Sequence, residues 1–189
     1  MSLSSISKRI PKYLPNLKKN FEDLFIATTN HELSNEQTVT VALAISYALK
    51  NELLVNHFKY DASIYLEPSN IVDIRAVTIM LTRNNIFYRT ITQIGDASIK
   101  NTTLTFDDNL LSNINIDKIM LMMGLLGVSI TNNCVYCIDF YTEKLLARGL
   151  PQTNIITIIK MASVLRALSD ALEIESLRNY EFISRGEGI

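Results

Sequence analysis

Apolar residues recur at three- and four-residue spacing along nearly the whole chain, and that period predicts helices from end to end. Between Ile6 and Phe25 the helical spacing is interrupted by Pro11 and Pro15. This predicts an extended or single-turn start, then a helix from about Leu14 to Thr28. The polar run Thr28-Thr29-Asn30-His31 reads as a loop. Ser34 and Gln37, three residues apart, form a capping-box pair. They open a helix to about Lys50 that buries Val39, Ala42, Leu43, Ile45 and Ser46. A further helix is expected from Asn51 to Tyr65. After the Pro68-Ser69-Asn70 turn come helical stretches from Ile71 to Leu81 and from Asn84 to about Ile94, with a break between them. The segment from Gly95 to Asn115 is polar and turn-rich, with room for one short helix. From Ile116 to Ile130 the chain is apolar on all sides, the mark of a fully buried helix. Two more helices follow, from about Cys134 to Arg148 and from about Asn154 to Leu177. A frayed tail beyond Tyr180 ends in Gly186-Glu187-Gly188. No segment reads convincingly as a strand, so the expected fold class is all-α.

A faint repeat runs through this pattern. Ile45-Ser46 corresponds to Val128-Ser129, Phe58 to Tyr141, and Ser69-Asn70-Ile71-Val72 to Thr153-Asn154-Ile155-Ile156, at an offset of about 83 or 84 residues. Each half holds a buried helix, a shorter helix and a capped helix. The expectation is one domain over residues 1–189, with related halves at about 34–95 and 116–178.

Composition narrows the partners. Apolar residues make up 48% of the chain, enough for a sizeable core. The net charge is −1, so no basic surplus points to nucleic acid or an anionic membrane. Met1 to Tyr13 lacks the apolar stretch of a secretory signal. The longest apolar run, Ile119 to Ile130, is well short of the roughly 20 residues that span a bilayer. A soluble, cytoplasmic protein is expected.

The candidate chemistry lies in Cys134-Val135-Tyr136-Cys137, which holds the only two cysteines. Asn132 and Asn133 precede it, and asparagine is a favoured N-cap. Gly149 and Pro151 supply a helix stop. Both thiols then fall in the first turn of a helix, where the helix dipole favours thiolate over thiol. In a reducing cytosol such a pair is a poor structural staple, because its disulfide closes a tiny loop. Zinc is disfavoured, since four ligands are usual and only His31 and His57 remain, both far away in sequence. His31 reads as a solvated loop residue and His57 as a packed or surface histidine. Met120, Met122 and Met123 read as core filling. Asn84-Asn85 and Tyr88-Arg89 either line the active site or fix a helix break, and the structural role is favoured.

On the redox helix, Cys134, Cys137, Ile138, Tyr141 and Leu145 share one face, while Asp139, Glu143, Lys144 and Arg148 fall mostly away from it. Tyr141 either donates a hydrogen bond toward the sulfurs or packs as a core aromatic, and the sequence leaves both open. Asn133 and Tyr136 are the other supporting candidates. No flavin or nicotinamide motif is present, so no cofactor is expected and electrons must come from an external dithiol.

The run from Val128 to Cys137, Val-Ser-Ile-Thr-Asn-Asn-Cys-Val-Tyr-Cys, resembles the redox motif of the alkyl hydroperoxidase D (AhpD) family in the carboxymuconolactone decarboxylase superfamily. Ile79 to Arg89, Ile10-Pro11-Lys12-Tyr13 and Ile116 to Ile130 also fit that family, so the likeness covers roughly residues 6 to 178. The resemblance implies an all-helical fold of two related halves, commonly a trimer or a multiple of it. It implies a dithiol, Cys134 with Cys137, that reduces hydroperoxides or peroxiredoxin-type disulfides. The expected partners are a dihydrolipoamide-bearing donor and a peroxiredoxin. The family also places a glutamate twelve residues before the first cysteine and histidines just before and four residues after the second. Here those places hold Met122, Tyr136 and Tyr141. A slower but working redox centre is therefore expected. Two rival readings are a degenerate scaffold serving as a redox sensor or interaction protein and, ranked last, a lactone decarboxylase.

Overall fold

The computed structural model describes residues 3–27, 32–100 and 114–184, and every regular element among them is helical. In chain order these are α1 (Leu3–Ser7), α2 (Pro15–Phe25), α3 (Asn35–Leu49), α4 (Glu52–Tyr65), α5 (Pro68–Gln93), α6 (Ala97–Lys100), α7 (Lys118–Thr131), α8 (Val135–Leu146) and α9 (Gln152–Ser184). Among the described residues no helix is long and apolar enough to cross a membrane.

The core is organised around the contact between α3 and α7, the most extensive in the molecule. α3 buries every residue from Val39 to Ser46, and α7 buries Leu121 and the run from Met123 to Ser129. Two glycines let the helices approach closely. A Cβ on Gly124 would lie 3.2 Å from Ala44 Cβ, and one on Gly127 would lie 2.8 Å from Ile45 Cδ1 and Cγ1. α4 packs on α3 and α8 on α7, while α5 and α9 each lie against both central helices.

Local chemistry sets the helix starts. The expected capping box forms in full: Ser34 Oγ accepts from Gln37 N and Gln37 Oε1 accepts from Ser34 N. Asn51 caps α4 by accepting from Leu54 N at 3.2 Å. Asp117 caps α7 by accepting from Ile119 N and Met120 N, both at 2.9 Å. Asp73 on α5 accepts from Asn115 N at 2.7 Å and so ties the approach to α7 onto α5.

Several boundaries differ from those expected from the sequence. α5 runs unbroken for 26 residues. The break expected near Asn84 does not occur, because the buried Asn85 amide is satisfied by groups of α7 and the turn after it. α9 passes through Tyr180 and ends at Ser184. α2 is shorter than expected, from Pro15 to Phe25. His31, most of the polar segment after α6, and the Gly186-Glu187-Gly188 end lie outside the described residues.

Candidate redox site

The site grows from the turn between α7 and α8. Asn132 is the C-cap of α7, and Asn133 takes the left-handed conformation at φ 53°. Asparagine tolerates that region because its short polar side chain limits the steric penalty. Cys134, not either asparagine, is the N-cap of α8. Its Sγ accepts from Cys137 N at 3.4 Å, and its own N–H donates to Ser129 O at 3.1 Å. The expected asparagine cap is displaced because the asparagines are spent on closing α7.

A sharp turn followed by a cap at residue 134 and a first-turn position at residue 137 brings the sulfurs face to face. They form a disulfide with Cα atoms 5.3 Å apart, well within the range disulfides adopt. Cys134 is fully buried and Cys137 nearly so. The face predicted from spacing is present: Cys137 and Leu145 are buried, Ile138 and Tyr141 half-buried, and Asp139, Glu143, Lys144 and Arg148 exposed. The exposed neighbours at the helix start are apolar or aromatic, Val135, Tyr136 and Phe140. Tyr136 stacks on Tyr88 of α5 with ring centroids 4.3 Å apart and planes 17° apart. Tyr141 meets Phe140 edge-on at 5.2 Å. Met122 is half-buried against the core.

The residues that the sequence left between lining the site and fixing a helix break lie on α5. Asn85 is 1% exposed and sits between α7 and the turn. Its Nδ2 donates to Ser129 Oγ at 3.4 Å, and its Oδ1 accepts from Asn132 Nδ2 at 2.9 Å. Ser129 Oγ in turn donates to Leu125 O at 2.8 Å. One helical turn on, Arg89 Nη1 donates to Asn132 O at 2.8 Å. The available signal was the Asn85, Tyr88, Arg89 spacing of three and four residues, which puts all three on one face of a helix.

His57 is a packed histidine of α4. Its Nδ1 lies 2.8 Å from Leu53 O, and its Nε2 lies 2.8 Å from Ser5 Oγ. Both ring nitrogens are thus in hydrogen-bond contact. One turn later, burial pushes the Asp61 carboxyl above its ordinary value, partly opposed by His57, and its Oδ2 is buried with no hydrogen-bond partner among the described residues.

Likeness to known proteins bears directly on this geometry. Residues 97–174, which include both cysteines, match the carboxymuconolactone decarboxylase family. The alkyl hydroperoxide reductase AhpD of Coxiella burnetii (strain RSA 493 / Nine Mile phase I) is 30% identical over 174 residues, covering 92% of this chain and 98% of that one. The chain belongs to the AhpD-like members of the carboxymuconolactone decarboxylase family. Two further AhpD proteins agree across nearly their whole length. That of Rhodospirillum centenum is 24% identical, with 93% of each chain covered. That of Streptomyces coelicolor is 25% identical, covering 94% of this chain and 98% of its own. For an AhpD-like protein, the all-helical bundle described above is the expected scaffold.

Proposed function

We propose that the chain is an antioxidant dithiol oxidoreductase. It reduces hydroperoxides, or the disulfide of a peroxiredoxin, by cycling Cys134 and Cys137 between dithiol and disulfide. The observation that carries this reading is the closed Cys134–Cys137 pair at the start of α8, with Cys134 Sγ on the Cys137 N–H. Family membership and the activity for which the relatives are named support the reaction class.

In the reduced protein one sulfur reacts as a thiolate. A buried thiolate is disfavoured by desolvation, and here the start of the 12-residue helix α8 offsets that through its dipole and a directed N–H. The thiolate attacks the peroxide O–O bond, forming a sulfenic acid while the alcohol leaves with a proton. The second thiol then attacks the sulfenic sulfur and expels water, closing the disulfide. An external dithiol of the dihydrolipoamide class returns two electrons and two protons by thiol–disulfide exchange. A peroxiredoxin disulfide in place of the peroxide accepts the same two electrons.

Met122, Tyr136 and Tyr141 occupy the places where the family resemblance implies a glutamate and two histidines. Methionine moves no proton, and tyrosine, with an ordinary pKa near 10, is a weak base at neutral pH. Thiolate formation therefore rests on the helix start and the turn that holds it. The exposed apolar side chains Val72, Ile79 and Ile86 of α5 and Val135 and Phe140 of α8 support a homo-oligomer, for which the family resemblance implies a trimer or a multiple of it. A cytoplasmic setting would supply the reducing dithiols.

The test is hydroperoxide consumption driven by dihydrolipoamide, comparing the intact chain with Cys134→Ser and Cys137→Ser. Turnover lost in both variants supports the dithiol cycle. No turnover in the intact chain, with no reduction of a small disulfide either, overturns it and favours a degenerate scaffold.

A further inference from the structure

The molecule contains two turns built on a similar plan, a left-handed residue followed by a side-chain cap, and only one carries sulfur. After α3, Lys50 is left-handed at φ 59°, and Asn51 then caps α4 by accepting from the backbone N–H three residues on. After α7, Asn133 is left-handed at φ 53°, and Cys134 caps α8 in the same way. Ser46 and Ser129, four residues before the left-handed residue in each case, are buried and donate to the carbonyl four residues back.

What lies against the two turns differs. Beside the first stands α9, which presents Ser169, Leu172 and Glu173 to a cleft of about 710 Å³ also bordered by Leu49, Lys50 and Asn51. Arg9 borders the same cleft and Ser169 carries a hydroxyl, yet among the described residues neither bonds to a carbonyl of the turn. Beside the second stands α5, whose Asn85 and Arg89 bond to Ser129, to the Asn132 amide and to the Asn132 carbonyl. The first turn therefore forms without a guanidinium on its last helical carbonyl. The two backbones close differently: Ser46 O takes the Lys50 N–H in the first, whereas Ser129 O takes the Cys134 N–H in the second. The clamp stands at the turn that carries Cys134 and not at the one capped by Asn51.

We propose that Asn85 and Arg89 are positioning residues for the Cys134 thiolate. In the disulfide the covalent bond itself holds Cys134 at the head of α8. On reduction that restraint is gone, and a free cysteine at an N-cap can rotate off the Cys137 N–H. The Arg89 bond to Asn132 O and the Asn85 bonds to Asn132 and Ser129 fix the residues that lead into the cap. They also keep Ser129 O on the Cys134 N–H at 3.1 Å. The cap geometry then persists in the dithiol, and the thiolate keeps its N–H donor and its place on the helix axis. This deepens, and rests on, the dithiol reading of the site, supplying by position what Met122 and Tyr141 do not supply by proton transfer.

The experiment is the pH dependence of iodoacetamide alkylation of the fully reduced chain, with the modified cysteine located by mass and folding checked by helix content. Arg89→Met and Asn85→Ala are expected to move the Cys134 profile to higher pH, slowing alkylation at neutral pH about tenfold for each pH unit the profile moves. Arg89→Lys keeps the charge and one donor, and is expected to recover the rate to within about threefold of the parent. Asn51→Ala, which removes the cap of the sulfur-free turn, is expected to leave the profile unchanged. If Asn85→Ala fails to fold, the Arg89 pair decides alone. Profiles of Arg89→Met that superimpose on the parent overturn the proposal, as does an equal displacement in Asn51→Ala. An intact chain that consumes no hydroperoxide, yet shows the alkaline displacement in Arg89→Met, removes the proposed reaction and keeps the clamp. Normal turnover with no displacement removes the clamp and keeps the reaction.

Discussion

The close approach of α3 and α7 carries the site, and Gly127→Ala probes it. The added methyl would sit 2.8 Å from two atoms of Ile45, a side chain with no exposure, and 3.6 Å from Val41 Cγ1. Ile45 Cδ1 is a flexible end, but Cγ1 is anchored next to the backbone, so the helices must separate by some tenths of an ångström. Overpacking costs about 1–3 kcal/mol, and a contact at 2.8 Å, closer than real Cβ atoms come, puts this one at about 2–3 kcal/mol. Alanine returns about 1 kcal/mol through its better helix propensity. The net expectation is a loss of about 1–2 kcal/mol. Gly124→Ala meets Ala44 Cβ at the softer distance of 3.2 Å, so the two effects nearly cancel, to within about 0.5 kcal/mol. Urea unfolding at one fixed protein concentration measures both, since oligomerisation would make stability depend on concentration. A double-mutant cycle with Ile45→Ala isolates the contact, because removing Cγ1 and Cδ1 makes room for the new methyl. The cycle should return a favourable coupling of about 1–2 kcal/mol. Gly127→Ala as stable as the parent, or additivity within about 0.5 kcal/mol, would refute the packing argument. Because Ser129 rides on the same helix, Gly127→Ala should also slow thiol alkylation.

Two further outcomes are expected. Asp61 has its carboxyl raised by burial and one oxygen with no partner among the described residues, so its ionised form opposes folding. A raised folded-state value stabilises the fold below the ordinary 3.8 and loses that contribution as pH rises through the folded value. Asp61→Asn should therefore stabilise the chain at neutral pH by about 1 kcal/mol, with the gain fading as pH falls toward that ordinary value. A gain that persists unchanged in acid would contradict this. The second concerns the relay. Tyr141→His with Met122→Glu should raise kcat/KM for hydroperoxide about tenfold or more, still below the roughly hundredfold that a fully positioned base contributes. The half-buried new carboxylate should also lower stability by about 1–3 kcal/mol. An unchanged kcat/KM in a folded variant would mean that proton transfer does not limit the rate.

The helical plan was legible in the chain because its causes are local. Ser34 with Gln37 announces a capping box, Asn51 announces a cap, and the all-apolar run before Ile130 announces a central helix. The cysteine pair and its buried face were legible from spacing alone. Three features were not, each for a reason that lies beyond local pattern. Cys134 acts as its own cap because Asn132 and Asn133 are consumed in ending α7. The Asn84-Asn85 pair looks like a break because asparagine competes for backbone hydrogen bonds, yet Asn85 finds its partners on α7 and Asn132, more than forty residues away in sequence. Arg89 reads as structural without a named partner until α5 is laid against the turn, where that partner is a backbone carbonyl that no side-chain pattern reveals.

The most direct measurement of the dithiol cycle is a single turnover. The fully reduced chain is mixed with one equivalent of an alkyl hydroperoxide in the absence of any other reductant. Thiols, alcohol and the Cys134–Cys137 disulfide are then counted together. The cycle predicts two thiols lost and one intramolecular disulfide gained for each alcohol formed, with no such stoichiometry in Cys134→Ser or Cys137→Ser. Alcohol formed while both thiols remain titratable, or a disulfide that never closes in the presence of peroxide, would contradict it.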